Sequence, residues 1–86
     1  MLKYTIEIAP LGTRYVVAAK DPDKGTVEQV FTLNETAANM LRLFSEGLDA
    51  EAVAERIARD YEAPVDIVRR DVDAFWKVIE SKGLTV

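Results

Sequence analysis

The sequence predicts one α+β domain, in which a three-stranded antiparallel sheet precedes three helices. Apolar residues alternate with polar or small ones in the first third of the chain, which is the period of a strand, and from about residue 35 they recur at helical spacing. Short polar segments separate the strands, which favours an antiparallel meander. We expect strands at about 3–9, 14–20 and 27–33 and helices at about 35–46, 50–62 and 65–82, all within a single domain over 1–86.

The first two predicted strands each have one face suited to burial. The apolar residues at every second position are Tyr4, Ile6, Ile8, Tyr15, Val17 and Ala19. Between these strands, Pro10 and Gly12 predict a turn over 10–13. The polar segment 21–25 contains another proline and another glycine, and it predicts the loop that leads to the third strand.

The third predicted strand lacks the usual features that protect a sheet edge. Its alternation places Val27, Phe31 and Leu33 on one face and Val30 and Thr32 on the other. It contains no proline, no lysine and only one glutamate. Such a strand can accept another chain along its side, so we expect an open, bindable edge here.

The helix boundaries follow from capping residues. Asn34 and Asp49 are favourable N-caps for the first and second helices, and Gly47 ends the first. Pro64 permits the third helix to begin near Val65. We expect Gly83 to end the third helix and the apolar residues 84–86 to cover the core.

The third helix is apolar over more than one core-facing stripe. Its core stripe consists of Val68, Val72, Phe75 and Ile79, and a second set on one margin consists of Ile67, Ala74 and Val78. The second set indicates either wider packing within the domain or an accessible apolar strip. Trp76 lies on the opposite margin, where either a half-buried packing role or an anchoring role is open.

Composition disfavours most catalytic functions. The chain has no cysteine and no histidine, so it lacks a thiol nucleophile, thiolate ligands and the commonest general base. Its carboxylates alternate with arginine and lysine on the helices, as solvated faces do. We therefore expect no catalytic residue, no metal site and no cofactor.

Net charge and hydropathy indicate which partners and which cellular location to expect. The net charge of −4 opposes binding to phosphate backbones. No stretch reads as a signal peptide or approaches the length of a membrane span. We expect a soluble cytoplasmic protein that contacts neither nucleic acid nor membrane.

From residue 26 onward, the order of motifs resembles the PqqD-like family, whose members are small recognition elements for precursor peptides. The segments Leu33 to Phe44 and Asp71 to Leu84 carry the resemblance, on either side of a glycine and a short second helix. The matching features are Leu33-Asn34-Glu35-Thr36, Tyr61, Asp71-Val72, Phe75, Ile79 and Gly83-Leu84. Pro64 departs from the family, which more often has a polar N-cap there.

The resemblance implies a winged-helix-like fold and a non-catalytic role. Members of the family capture the leader segment of a ribosomally made precursor peptide as an extra strand beside the third strand and the third helix. They deliver it to a modifying enzyme, often a radical-SAM protein or a cyclodehydratase. On this chain the implied peptide-binding residues are Val27, Glu28, Gln29, Val30, Phe31, Thr32, Ile67, Arg70, Asp71, Ala74 and Val78.

Several alternatives remain open from the sequence alone. Asp71 could bind the peptide or bond to nearby backbone amides, and the peptide could face either the Ile67 margin or the Trp76 margin of the third helix. The chain could instead be a DNA-binding winged helix, or a small domain that dimerises weakly through its bare strand. The sequence does not name the precursor peptide or the enzyme.

Overall fold

The computed structural model describes residues 1–86 and has three strands followed by three helices. The strands are β1 (Thr5–Leu11), β2 (Arg14–Lys20) and β3 (Val27–Leu33), and the helices are α1 (Glu35–Ser45), α2 (Ala50–Asp60) and α3 (Val65–Ser81). The sheet is antiparallel in the order β1-β2-β3, so β2 is central and β1 and β3 are its edges. The predicted fold class is confirmed. No helix combines the length and the apolar character that crossing a membrane requires.

The first strand starts later and ends later than predicted. Pro10 and Leu11 belong to β1, and the turn consists of Gly12 and Thr13 alone, because Leu11 pairs directly with Arg14. Gly12 has φ +63°, as the first central residue of a type II′ hairpin turn requires. The prediction of a turn from residue 10 was wrong because a proline is tolerated in an edge strand.

The third strand contains a β-bulge that the sequence analysis did not anticipate. Ala19 pairs with Gln29 and Lys20 pairs with Val27, so Glu28 is the extra residue. The bulge places Val27 on the outer face of the sheet beside Lys20, where it is exposed. The expectation that Val27 shares a face with Phe31 and Leu33 was therefore wrong.

The helices cover one face of the sheet and form the core with β2. The largest fully buried side chains are Val17, Leu41, Leu43, Val53, Val72, Ile79 and Leu84. The predicted N-caps are confirmed: the side-chain oxygens of Asn34 and Asp49 accept hydrogen bonds from the Ala37 and Ala52 amides, each at 2.9 Å. The second helix ends at Asp60, two residues before the predicted end, because Glu62 adopts φ +52° and turns the chain toward Pro64.

Leu84 closes the core as expected of the C-terminal tail, whereas Val86, which was expected to cover the core with it, is 87% exposed. Leu84 is completely buried, and its carbonyl oxygen accepts a hydrogen bond of 2.9 Å from the Lys3 amide. The Val86 amide donates to the Met1 carbonyl oxygen at 2.9 Å. These two bonds hold residues 84–86 against the N-terminal residues and fix Leu84 in place.

Truncating Leu84 should therefore weaken the whole domain. We expect Leu84→Ala to lower the free energy of unfolding by about 2–5 kcal/mol, since it leaves a cavity in a fully packed site. Urea unfolding followed by circular dichroism measures this change. Val86→Ala is the matched control, because Val86 is exposed and its loss should change stability by less than about 0.5 kcal/mol. Equal effects of the two variants would contradict the role assigned to the tail.

Candidate functional site

The outer side of β3 is a free backbone edge within this chain. The two-residue turn makes Leu11 and Arg14 a hydrogen-bonded pair, so alternate residues of β2, starting at Arg14, direct their backbone groups toward β1. The residues between them, namely Tyr15, Val17 and Ala19, bond to their partners Leu33, Phe31 and Gln29 on β3. The amides and carbonyl oxygens of Val30 and Thr32 therefore point away from the sheet.

The two edges of the sheet differ in their capacity to accept a strand. The same alternation directs the backbone of Pro10 outward on β1, and proline has no amide hydrogen to donate. On β3 the outward positions Val30 and Thr32 both carry amides. No further strand pairs with this edge, and the Val30 side chain is 64% exposed. The Thr32 carbonyl oxygen accepts a hydrogen bond of 3.4 Å from the Arg14 side chain, so one of the outward groups has a partner within the chain. Ile6 and Ile8 also direct amides outward on β1, so the proline interrupts that edge only near the turn, whereas the β3 edge has no proline. This difference favours β3 as the edge that accepts a guest strand.

A cleft of about 320 Å³ lies where β3 passes into α1, and α3 forms its opposite wall. The residues lining it are Asn34, Thr36, Ala37, Met40, Asp71 and Phe75. The Asp71 carboxylate makes no hydrogen bond or ion pair within the chain. The alternative in which Asp71 bonds to nearby backbone amides is thus wrong, and its charge is available to a ligand.

The end of α3 closes the other end of this space against β3. The Gln29 side chain donates a hydrogen bond of 2.6 Å from Nε2 to the Lys82 carbonyl oxygen. The Lys82 ammonium lies 4.5 Å from the centre of the Phe31 ring, a cation–π contact. The cleft at Asp71 is lined by the start of α1 and by α3, and Lys82 contacts β3 separately. We call the surface that runs along β3 and α3 between these two points, from Lys82 to Asp71, the β3–α3 groove.

The margin of α3 beside this groove is apolar and exposed. Ile67, Asp71, Ala74 and Val78 follow one another at spacings of four, three and four residues, so they form one stripe along the helix. Ile67 is 54% exposed and Val78 is 46% exposed. Because Asp71 lines the cleft, the stripe borders the groove and offers it an apolar wall. The surplus apolar residues of α3 are not used in packing within the domain.

The opposite margin of α3 is occupied by contacts with α1 and α2. Trp76 packs on Phe44 with 4.5 Å between ring centres, which confirms its half-buried packing role. Arg69 donates to both carboxylate oxygens of Glu51 on α2, at 2.9 and 2.7 Å. Of the two margins left open by the sequence, the Trp76 margin is engaged by the other helices and the Ile67 margin is exposed.

The remaining predicted site residues differ in position. Gln29 and Phe31 face the interior side of β3 and contact Lys82, whereas Val27 and Glu28 lie at the bulge, outside the regular edge. Arg70 lies about 100° around the helix from Asp71, on the solvent side, and makes no ion pair.

Sequence reasoning missed Lys82, which contacts two residues of β3. As a lysine just after the last helical turn it matches the ordinary preference for a cation at that end, so its sequence position carried no separate signal.

Comparison with known proteins identifies the family of this chain. The sequence model of the family described as Coenzyme PQQ synthesis protein D (PqqD) matches residues 17–84. The chain belongs to the PqqD family. The match begins within β2 and ends at Leu84, so it includes the β3 edge and all of α3. Among proteins of curated function, none matches the sequence significantly.

Two solved structures share the fold of this PqqD-family chain. The first, described as TbiB1 in complex with the TbiA(beta) leader peptide, has a TM-score of 0.70 and 22% identity, covering 96% of this chain and 91% of that one. The second, described as lasso peptide synthetase B1 complexed with the leader peptide, has a TM-score of 0.71 and 23% identity, covering 100% and 95%. The likeness at these identities extends to the fold alone.

The Arg69–Glu51 contact makes a prediction about pKa. The hydrogen bond from Arg69 lowers the pKa of Glu51 below its ordinary value of 4.5. Because the folded pKa is the lower one, the stabilisation from this pair is present above pH 4.5 and is lost as pH falls through the folded pKa. We expect an NMR titration of the Glu51 carboxyl carbon to show a midpoint below 4.5.

The neighbouring arginines provide the matched control for this titration. Arg69→Gln should return the Glu51 midpoint toward its ordinary value, because it removes the charged donor. Arg70→Gln should leave the midpoint where it is, because Arg70 makes no ion pair. An unchanged midpoint in Arg69→Gln would show that α3 is not held to α2 in this way.

Proposed function

We propose that this chain is a non-catalytic peptide-binding module. It captures the leader segment of a ribosomally made precursor peptide as an added strand along β3, against the Ile67 margin of α3, and presents it to a modifying enzyme. The observation that carries the proposal is the edge at Val30 and Thr32, which pairs with no further strand, together with the exposed apolar margin of α3 at Ile67 and Val78. Strand addition uses both features, since backbone bonds hold the guest and pockets select its side chains.

The descriptions of similar proteins also support the proposal. The two solved structures of the same fold are both described as complexes with leader peptides. The matching family is described by its part in the synthesis of the coenzyme PQQ. A peptide-binding role for this chain agrees with both descriptions and with the exposed apolar margin of α3.

Typical free energies indicate how much the β3 edge and the apolar margin of α3 each contribute to peptide binding. The outward groups of Val30 and Thr32 can make at most four backbone hydrogen bonds, and each contributes a net of about 1 kcal/mol. Association and ordering of a peptide cost more than about 4 kcal/mol, so the backbone bonds alone do not hold it. Burial of Ile67 and Val78, at about 25 cal/mol per Å² of apolar surface, supplies the remainder.

The groove is suited to binding and not to chemistry. The chain has no histidine or cysteine, and the polar groups at the groove are one unpaired carboxylate, one ammonium, the Asn34 amide, the Thr36 hydroxyl and backbone groups. We infer that reaction on the captured peptide belongs to a partner enzyme. A radical-SAM protein or a cyclodehydratase is the partner class that the family resemblance favours.

The surface of α3 does not favour DNA binding. Arg69 is engaged by Glu51 at 2.7 Å and by Asp66 at 3.3 Å, so it does not offer a free charge to a phosphate. Asp71, Asp73 and Glu80 further reduce the positive potential of this helix.

Replacing an outward-facing amide on β3 should abolish peptide capture without unfolding the domain. We expect Val30→Pro to lose binding of a leader peptide, because it removes a donor that points away from β2 and blocks close approach of the guest strand. Amide shifts in NMR, followed during titration with candidate leader peptides, measure binding. In the unmodified protein we expect shifts in residues 27–33 and 67–78.

Two controls define what this result means. Val30→Ala keeps the amide and should retain binding, while Phe31→Pro removes a bond to β2 and should destabilise the fold. Full peptide binding by a folded Val30→Pro variant would contradict strand addition at this edge. Shifts confined to the loop 21–25 or to α2 would place the site elsewhere.

Charging the apolar wall of the groove should also weaken binding. We expect Val78→Asp to reduce peptide affinity at least tenfold, because the guest would then bury an unpaired carboxylate. Val65→Asp is the matched control, since Val65 is also on α3 and 37% exposed but lies toward the Trp76 margin. Fluorescence anisotropy of a labelled leader peptide measures both affinities. Equal losses in the two variants would show that the Ile67 margin is not the binding wall.

A further inference from the structure

We infer that Lys82 and Asp71 together make binding selective for the order of acidic and basic residues along the peptide. This inference rests on the proposed function and adds a specificity to it. The two side chains carry opposite charges at opposite ends of the β3–α3 groove, and neither is paired with an opposite charge within the chain. A guest that lies along β3 must pass both of them.

Lys82 is held at one end of the groove by two contacts that leave its charge available. Its carbonyl oxygen accepts from Gln29, and its ammonium rests on the Phe31 ring at 4.5 Å. No carboxylate lies within ion-pair distance of this ammonium. An aromatic ring beneath the charge fixes its position, so a carboxylate on the guest finds its partner already placed.

Asp71 occupies the other end, between Asn34 and Phe75 in the lining of the cleft. It lies one and two helical turns from Ala74 and Val78, so an apolar wall separates the two charges. A carboxylate that has no partner in the folded chain favours an ammonium, a guanidinium or an amide donor on the guest.

The spacing of the two charges defines the spacing expected in the peptide. Lys82 follows Asp71 by 11 positions and still has a helical backbone conformation, so the rise along α3 is about 16 Å. An extended chain advances about 3.3 Å per residue, which gives about five residues. Side chains on one face of a strand are an even number apart, so four and six residues fit the helical rise equally well. The Lys82 ammonium lies over Phe31, which is nearer to Asn34 along β3 than Gln29 is, and this favours four.

The chemistry of the occupant follows from this geometry. It is an extended segment with apolar residues facing the groove, an acidic residue at the Lys82 end and a basic residue four positions away at the Asp71 end. Gln29 marks the Lys82 end of β3 and Asn34 the Asp71 end. Antiparallel pairing is slightly more stable than parallel pairing, and it places the basic residue on the N-terminal side of the acidic one.

Three synthetic peptides test the inference. Each has ten residues with blocked ends and alternating valine and threonine, and each carries one lysine and one glutamate. In the first the lysine is at position 3 and the glutamate at position 7; in the second the two are exchanged; in the third the glutamate is moved to position 8. Anisotropy titration at low salt gives the three affinities.

We expect the first peptide to bind about fivefold or more tightly than the second. Exchanging the charges replaces two attractions with two repulsions, and at partly exposed sites each of these contributes modestly to affinity. The third peptide should lose the advantage of the first, because its charges lie on opposite faces. The preference should decrease at high salt as screening increases.

A charge-exchanged protein separates recognition from simple attraction. The double variant Asp71→Lys with Lys82→Glu should invert the preference, and Asp71→Asn with Lys82→Gln should bind both peptides equally. If the unmodified protein prefers the second peptide and the charge-exchanged variant prefers the first, the same charge pairing holds with a guest strand parallel to β3. Circular dichroism and amide spectra of each variant verify that it is folded.

The outcomes distinguish this inference from the proposed function. If the unmodified protein binds all three peptides with equal affinity, or if the exchanged variant keeps the original preference, charge reading is overturned and peptide capture stands. If none of the peptides, nor any candidate leader segment, shifts the amides of β3 and α3, both are overturned.

Discussion

The alternation of hydrogen bonds along β2 determines which backbone groups of β3 this domain can offer to a ligand. Because the Gly12–Thr13 turn makes Leu11 and Arg14 a bonded pair, every backbone group of β2 is committed to β1 or to β3. The outward groups of β3 are then those of Val30 and Thr32, and the bulge at Glu28 ends the regular edge on one side. A guest strand therefore meets two residues with outward backbone groups, and at the Thr32 carbonyl oxygen it competes with a 3.4 Å hydrogen bond from Arg14. The same alternation places Pro10 outward on β1, so the opposite edge of the sheet lacks a donor where a guest would need one.

The position of α3 turns this edge into a groove. Contacts with α1 and α2 at Phe44 and Glu51 fix one margin of the helix, and the Gln29–Lys82 hydrogen bond fixes its end against β3. The margin between these supports is left without a partner. An 86-residue domain has little apolar surface to spare, so leaving Ile67 and Val78 half exposed is a cost to stability that a binding role accounts for. The apolar wall is thus a product of helix placement, whereas the backbone edge is a product of the strand register.

Sequence periodicity and capping predicted all six elements, since these signals are local. Asn34 and Asp49 marked helix starts because their side chains bond three residues ahead, within the same segment. The bulge at Glu28 had no such signal, because it arises from the register between β2 and β3 and involves neither glycine nor proline. Lys82 was missed for a related reason: its contacts with Gln29 and Phe31 join residues more than 50 positions apart. Apolar surplus on α3 was visible in the sequence, whereas its orientation toward β3 depended on Trp76 and Arg69 engaging the other helices.

Selectivity in such a site has to come from α3, because the edge of β3 cannot supply it. Backbone amides and carbonyl groups are the same in every peptide, so the bonds of Val30 and Thr32 favour any extended chain equally. The apolar wall distinguishes peptides by the residues on one face, but it does not distinguish the two directions in which a chain can lie. Direction requires an asymmetry along the groove, and the opposite charges of Lys82 and Asp71 are the asymmetry that the described side chains provide. A module that presents a peptide to an enzyme must fix direction, since only one end of the leader continues into the segment to be modified.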